Sequence, residues 1–123
     1  MSRTSRDKGQ RGELQVAAII RDLTGWDVRR RVRQHDADSD LEGVPGWAVE
    51  VKNRGKATLG DVRAWWAQAV SQAEADHVPV LFYKRQRGEW RAVWPSGNGP
   101  IEQFDWAVEG SIETWAMVAM EGV

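Results

Sequence analysis

The sequence predicts one α/β domain, and three stretches carry that prediction. Val16, Ile19, Ile20 and Leu23 recur at the spacing of a helix face. Residues 47–52 alternate with the two-residue period of a strand, and residues 78–84 are apolar on both faces, as in a strand buried within a sheet. At 123 residues the chain should bury about 65–70% of its unfolded surface in a single domain. Residues 1–8 are expected to form a basic mobile arm, and residues 95–123 an acidic C-terminal extension.

Composition narrows the chemistry. With no cysteine, the chain has no disulfide, no thiolate zinc site and no cysteine-held iron–sulfur cluster. Oxygen ligands remain. No apolar run approaches the roughly 18 residues of a membrane span, so no membrane partner and a cytoplasmic location are expected. The net charge of −1 hides a polarity. Residues 1–34 gather Arg3, Arg6, Lys8, Arg11, Arg21, Arg29, Arg30, Arg31 and Arg33, whereas from Ile101 onward acids accumulate without a single Lys or Arg. Such a distribution suits a polyanionic partner approaching from one side.

Taken in order, a first helix is predicted from about Gln10 to Leu23, ended by Thr24-Gly25. Glu13 falls at the edge of its apolar face. An acid in a first turn is favoured by the helix dipole, and next to a metal centre it would join the site. Residues 26–34 read as a strand, with Trp26, Val28 and Val32 on one side and Arg29, Arg31 and Arg33 on the other. Arg30 breaks the apolar side. The arginine run is either a solvated edge or a stripe that contacts phosphates. His35 has no matching partner and receives no catalytic role.

The stretch from Asp38 to Lys52 carries the chemistry. Trp47, Val49 and Val51 point one way, and Glu50 and Lys52 the other. Gly43, Pro45 and Gly46 supply the turn that folds Asp40 back beside Glu50. Two carboxylates next to a lysine suit a hard divalent cation that keeps water in its remaining positions. Asp38 is a rival to Asp40 as a ligand. Arg54 and Lys56 follow the strand, and with Arg11, Arg29, Arg31 and Arg33 they are the candidate nucleic-acid contacts.

A second helix should run from about Leu59 to Ala75, opened by a Thr58/Asp61 capping box, with Leu59, Val62, Trp66, Ala69, Val70 and Ala73 as its core stripe. Trp65, Gln68 and Gln72 form a second row, from which Gln68 is the functional candidate. Residues 89–94 read as the hairpin partner of strand 78–84, and residues 111–120 as a last helix. Most of the eight tryptophans are expected in the core; Trp65 is the better exposed candidate for stacking on an unpaired base, although a second packing layer is the favoured role for it.

A helix bearing Glu13, then Asp40, then Glu50-Val51-Lys52, then a helix bearing Gln68 resembles the PD-(D/E)xK nuclease superfamily, and the compact size resembles its phage and archaeal Holliday junction resolvase-like branch. The resemblance spans about residues 8–94. Ser39 stands where the superfamily motif has Pro. The resemblance implies a restriction-endonuclease-like αβββαβ core, with a mixed central sheet flanked by helices. It also implies Mg2+, with Mn2+ as a substitute, held by Asp40, Glu50 and the Val51 carbonyl. Lys52 would position water or phosphate, Glu13 would add an acid at the metal centre, and Gln68 would match the glutamine often found on the following helix.

The expected activity is magnesium-dependent endonucleolytic cleavage of DNA, branched DNA above all, by a homodimer. The alternatives are a flap, nicking, repair or restriction-type nuclease of the same superfamily, and a non-catalytic nucleic-acid-binding protein on a degenerate nuclease fold. Asp, Glu and Lys standing together argue against the last of these. Structure-selective cleavage is expected because basic residues bind backbone without reading bases.

Overall fold

The structure, a computed structural model, describes residues 3–32, 39–85 and 87–122. Helix α1 (Arg3–Thr24) is followed by β1 (Arg29–Arg30), β2 (Leu41–Glu42) and β3 (Trp47–Asn53), then α2 (Leu59–Gln72) and β4 (Val78–Lys84). This is the αβββαβ order expected from the sequence. Beyond it come β5 (Arg91–Pro95), a single 3-10 turn (Phe104–Trp106), β6 (Ala107–Ser111) and α3 (Ile112–Glu121). The described strands form one sheet in the order β1-β2-β3-β4-β5-β6. It is mixed. β3 and β4 run parallel from Trp47↔Val78 to Asn53↔Lys84, joined by the α2 crossover, and every other neighbour is antiparallel.

Side-chain alternation sorts the two faces. Val49, Val51, Val80, Phe82, Ala92 and Trp94 pack with Val16, Ala17 and Ile20 of α1 and with Ile112, Trp115, Ala116 and Ala119 of α3. On the opposite face Leu81, Tyr83 and Val93 pack with Val62, Trp66 and Ala69 of α2. β4 is buried on both sides, as its continuous apolar run requires. The capping box is present. Thr58 Oγ1 accepts from the Asp61 N–H at 3.1 Å, and Asp61 Oδ2 accepts from the Thr58 N–H at 3.0 Å.

Several expectations are corrected. α1 begins at Arg3, not near Gln10, so residues 3–8 are helical rather than a mobile arm. No apolar period announces that first stretch. Arg and Lys are good helix formers, and the Lys8 carbonyl is tied to β3 by the Asn53 amide at 3.0 Å. Within the described part (26–32) of the strand expected over residues 26–34, only Arg29–Arg30 pairs, because its partner β2 offers only two residues, and Val32 is left 72% exposed. Leu59 is likewise exposed rather than part of the α2 stripe, and α2 ends at Gln72.

The acidic tail is not an appendage. β6 pairs with β5 from Arg91↔Ser111 to Pro95↔Ala107, and Ser111 caps α3 by accepting from the Thr114 N–H at 3.0 Å. Trp115 is fully buried, edge-on to Trp47 with centroids 5.5 Å apart and to Phe82 at 5.0 Å. Trp94 is buried as well.

Candidate active site

The site grows from the turn between β2 and β3. Gly43 has φ +90°, and a Cβ there would stand 2.2 Å from the Asp27 carbonyl oxygen. Only glycine fits. The turn closes through the Trp47 N–H donating to Val44 O at 3.1 Å, and it sets Leu41 opposite Val49. The Asp40 N–H donates to Val49 O at 2.8 Å, and then the side chain takes over from the backbone: Asp40 Oδ2 accepts from the Val51 N–H at 2.7 Å. Asp40 is 1% exposed and Glu50 3%. Because the N–H and C=O of one strand residue point to the same edge, the Val51 carbonyl projects past the end of β2 toward Asp40.

Glu50 and Lys52 share a face of β3, as their spacing predicts. Lys52 Nζ lies 3.4 Å from Glu50 Oε2, with both side chains largely withdrawn from solvent. Asp40, Glu50, Val51, Lys52, Glu13 and Gln68 all line one cavity of about 370 Å³. Glu13 reaches it because Gly12 brings α1 close to β3: a Cβ at Gly12 would stand 2.7 Å from Asn53 Cβ. Glu13 is 5% exposed, and its Oε1 accepts from Arg30 Nε at 2.7 Å.

The same cavity takes Arg6, Arg30 and Arg54, which with Lys52 set four cationic side chains against three carboxylates. Sequence reasoning missed Arg6 and Arg30. Arg30 had a signal: it occupies the side of its strand that is otherwise apolar, a position that calls for a buried acid. Arg6 had none beyond the helix propensity of its neighbours. The described members of the odd-numbered stripe point elsewhere. Arg29 pairs with Asp27 at 3.1 Å and Arg31 with Glu74 at 3.6 Å, and neither lines the cavity. Arg11 is exposed on α1 outside it, and Lys56 lines a neighbouring recess that Arg54 also borders. Arg33, His35 and Asp38 lie outside the described residues.

The donor set fits a hard divalent cation. Two buried carboxylates and a backbone carbonyl are oxygen ligands of the kind Mg2+ prefers. Among the described residues no group of three or more His, Cys, Asp and Glu stands close enough to hold a metal. The protein would therefore supply two acids and leave further positions to water or phosphate oxygens, which is usual for Mg2+. Glu13 lines the cavity paired with Arg30, a geometry that orients the guanidinium as much as it adds an acid.

Comparison with known proteins agrees with this arrangement. The chain is 31% identical over 130 aligned residues to Protein D14 of Escherichia phage T5, covering 85% of this chain and 79% of that protein. Residues 4–109 match the family described as "Phage putative PDDEXK endonuclease", a span that runs from α1 into β6 and contains every residue of the cavity. With Asp40, Glu50 and Lys52 gathered at the end of β3 on an αβββαβ core, the chain belongs to that PD-(D/E)xK family of phage type.

Proposed function

We propose that the protein is a magnesium-dependent, structure-selective DNA endonuclease of the Holliday junction resolvase type, with Mn2+ able to replace Mg2+. The observation that carries this reading is the burial of Asp40 and Glu50 beside Lys52 in a cavity rimmed by Arg6, Arg30 and Arg54. A divalent ion bound there would supply an activated water and offset negative charge developing on the scissile phosphate.

The chain's own groups do the rest. Asp40 and Glu50 would hold the ion, with the Val51 carbonyl as a further oxygen ligand. Lys52, held at Glu50, places an ammonium where it steadies the phosphate or the attacking water. Gln68 offers an amide on the α2 side of the cavity. Arg6 and Arg54 are charged and flexible enough to take flanking phosphates, which position a backbone without specifying bases. Each chain carries one such constellation, so the paired incisions that resolve a four-way junction call for a homodimer.

A cleavage panel tests the reading: labelled four-way junction, flap, duplex and single-stranded DNAs, incubated with Mg2+ or Mn2+ beside the Asp40→Asn protein. Metal-dependent cutting that favours the junction, absent in the variant, is the expected result. Cutting of flaps or duplex alone would replace the resolvase reading with a flap or nicking nuclease. No cutting of any substrate would remove the nuclease reading itself.

A further inference from the structure

A second recess opens beside the first. It has a volume of about 590 Å³ and is lined by Arg54, Gly55, Lys56, Asp61 and Trp65. Two features make it continuous with the cavity that holds Asp40 and Glu50. Arg54 borders both, and one stripe of α2 spans both: Asp61 and Trp65 wall the second recess, while Gln68, about 4.5 Å further along the helix axis, walls the first. Trp65 is only half-buried. Its ring is tilted against Tyr83, with centroids 6.0 Å apart and planes inclined by 49°, and the residue also lines the recess.

The charge on this wall is also selective. Arg54 and Lys56 are cationic and solvent-accessible. Asp61 is the acid on the wall, and its carboxylate is already engaged by the Thr58 N–H at the start of α2. An aromatic face flanked by two cations suits a nucleotide, with the base on the ring and the backbone phosphates on the cations. A base inside a duplex has both faces covered by its neighbours. Only an unpaired or splayed base offers a free face to Trp65.

The geometry points to a subsite for one unpaired nucleotide next to the scissile phosphate, with Trp65 stacking on the base and Arg54 and Lys56 holding the adjoining phosphates. This rests on the reading of the neighbouring cavity as a phosphodiester-cleaving site, and it adds that a nucleotide beside the cut, at the branch point of the DNA, is splayed out of its pair when bound. Trp65 binds substrate rather than taking part in bond cleavage, so its role is read in affinity.

The test measures binding of fluorescein-labelled DNAs by anisotropy in EDTA, where no cleavage intervenes. The probes are a duplex with splayed arms, the same splayed DNA with abasic sites in the unpaired nucleotides beside the fork, and a fully paired duplex of equal length. Trp65→Leu keeps apolar volume against Tyr83 and removes the large π face; Trp65→Phe keeps an aromatic ring. Trp65→Leu is expected to bind the splayed DNA about tenfold more weakly. Trp65→Phe should recover most of that loss, and paired-duplex affinity should not move. The abasic probe should lose affinity to a similar extent for the natural protein and lose nothing more for Trp65→Leu. Equal weakening on all three DNAs, or additive losses with the abasic probe, would overturn the subsite. If Trp65→Leu binds like the natural protein while Mg2+-dependent cleavage stands, the subsite alone fails. If the natural protein binds none of the probes and cleaves nothing, the nuclease reading fails with it.

Discussion

Asp40 accepts a hydrogen bond from the Val51 backbone N–H at 2.7 Å, so the first proposed metal ligand is also the last rung of the β2–β3 ladder. An amide oxygen can accept the same bond. Asp40→Asn should therefore keep the fold and lose only the charge. Cleavage in Mg2+ is expected to fall by more than about 100-fold, because even groups one shell outside a metal cost about 10–100-fold when removed. Asp40→Ala should also destabilise by about 1–3 kcal/mol, since it leaves a buried N–H unsatisfied. Glu50→Gln should match Asp40→Asn in activity. Isothermal titration with Mg2+, denaturant melts and a junction-cleavage assay on the three variants check these outcomes, and undiminished turnover in Asp40→Asn or Glu50→Gln would end the assignment.

Arg30 and Glu13 should behave as a unit. Glu13 is buried, whereas the Arg30 side chain retains 31% of its exposure. Arg30→Met takes the cation from 2.7 Å away from that carboxylate and should cost about 2 kcal/mol, below the roughly 3–5 kcal/mol of a fully buried pair. The double variant Glu13→Gln/Arg30→Met should recover part of the loss. A double-mutant cycle by urea unfolding reads the coupling. Additive single losses would show that the pair does not act together.

The arginines divide by where they point. Arg6 and Arg54 line the cavity; Arg29 and Arg31 do not, and they face Asp27 and Glu74 instead. Replacing Arg6 and Arg54 with Ala should flatten the dependence of log K on log salt by about 0.9 for each phosphate that the protein then leaves to its counterions. Replacing Arg29 and Arg31 should leave the slope within error. Anisotropy titrations across a salt series separate the two sets.

Gly12→Ala tests the approach of α1 to the sheet. Its new methyl would meet Asn53 Cβ at 2.7 Å, so helix or strand must shift. Overpacking costs about 1–3 kcal/mol, offset by up to about 1 kcal/mol of helix propensity. A net loss of about 1 kcal/mol is expected in thermal melts. Cleavage should also fall, because the next residue is Glu13 and the helix that moves carries Arg6.

Tyr83 gives a signature in alkaline solution. Burial pushes its phenol up, helped by donation to Glu109 Oε1 at 3.0 Å, to a pKa of about 12. The unfolded value is near 10. Between these values the folded state holds a proton that the unfolded state has released, so stability falls as pH rises from about 10 to about 12. Solvent partly screens the phenol, so the loss is on the order of 1–2 kcal/mol. Tyr83→Phe should abolish that slope in urea melts at pH 9 to 12, and an identical slope in the variant would place its origin elsewhere.

How much of this was legible in the sequence depends on the range of the interaction involved. Glu50 and Lys52 fall on one face because a strand alternates, and Asp40 meets them because Gly43 and Gly46 take positive φ in the turn between; both follow from local chemistry. β4 and the α2 cap were readable for the same reason. The start of α1 was not, because contacts from Arg6 to Gly9 with β3 and the cavity hold it, rather than an apolar period. β6 escaped because an exposed edge strand carrying Gly110 shows little alternation, whereas α3 was readable from Ile112, Trp115 and Val118 following the Ser111 cap. The odd-numbered arginines looked like the functional set by density alone. Arg30 sits in the cavity because it lies on the side that alternation marks as inward.

Trp115 also constrains the order in which a newly made chain can complete its core. It fills the space between Trp47, at the start of β3, and Phe82, in the middle of β4. Both are translated well before it. At about 5–20 residues per second, several seconds pass between the emergence of Trp47 and that of Trp115. Throughout that interval the part of the sheet covered by α3 stays open, while the parallel β3–β4 pair awaits its lid. A nascent chain at that stage is exposed to strand pairing with its neighbours on a polysome, and its release from that hazard comes only once α3 has emerged.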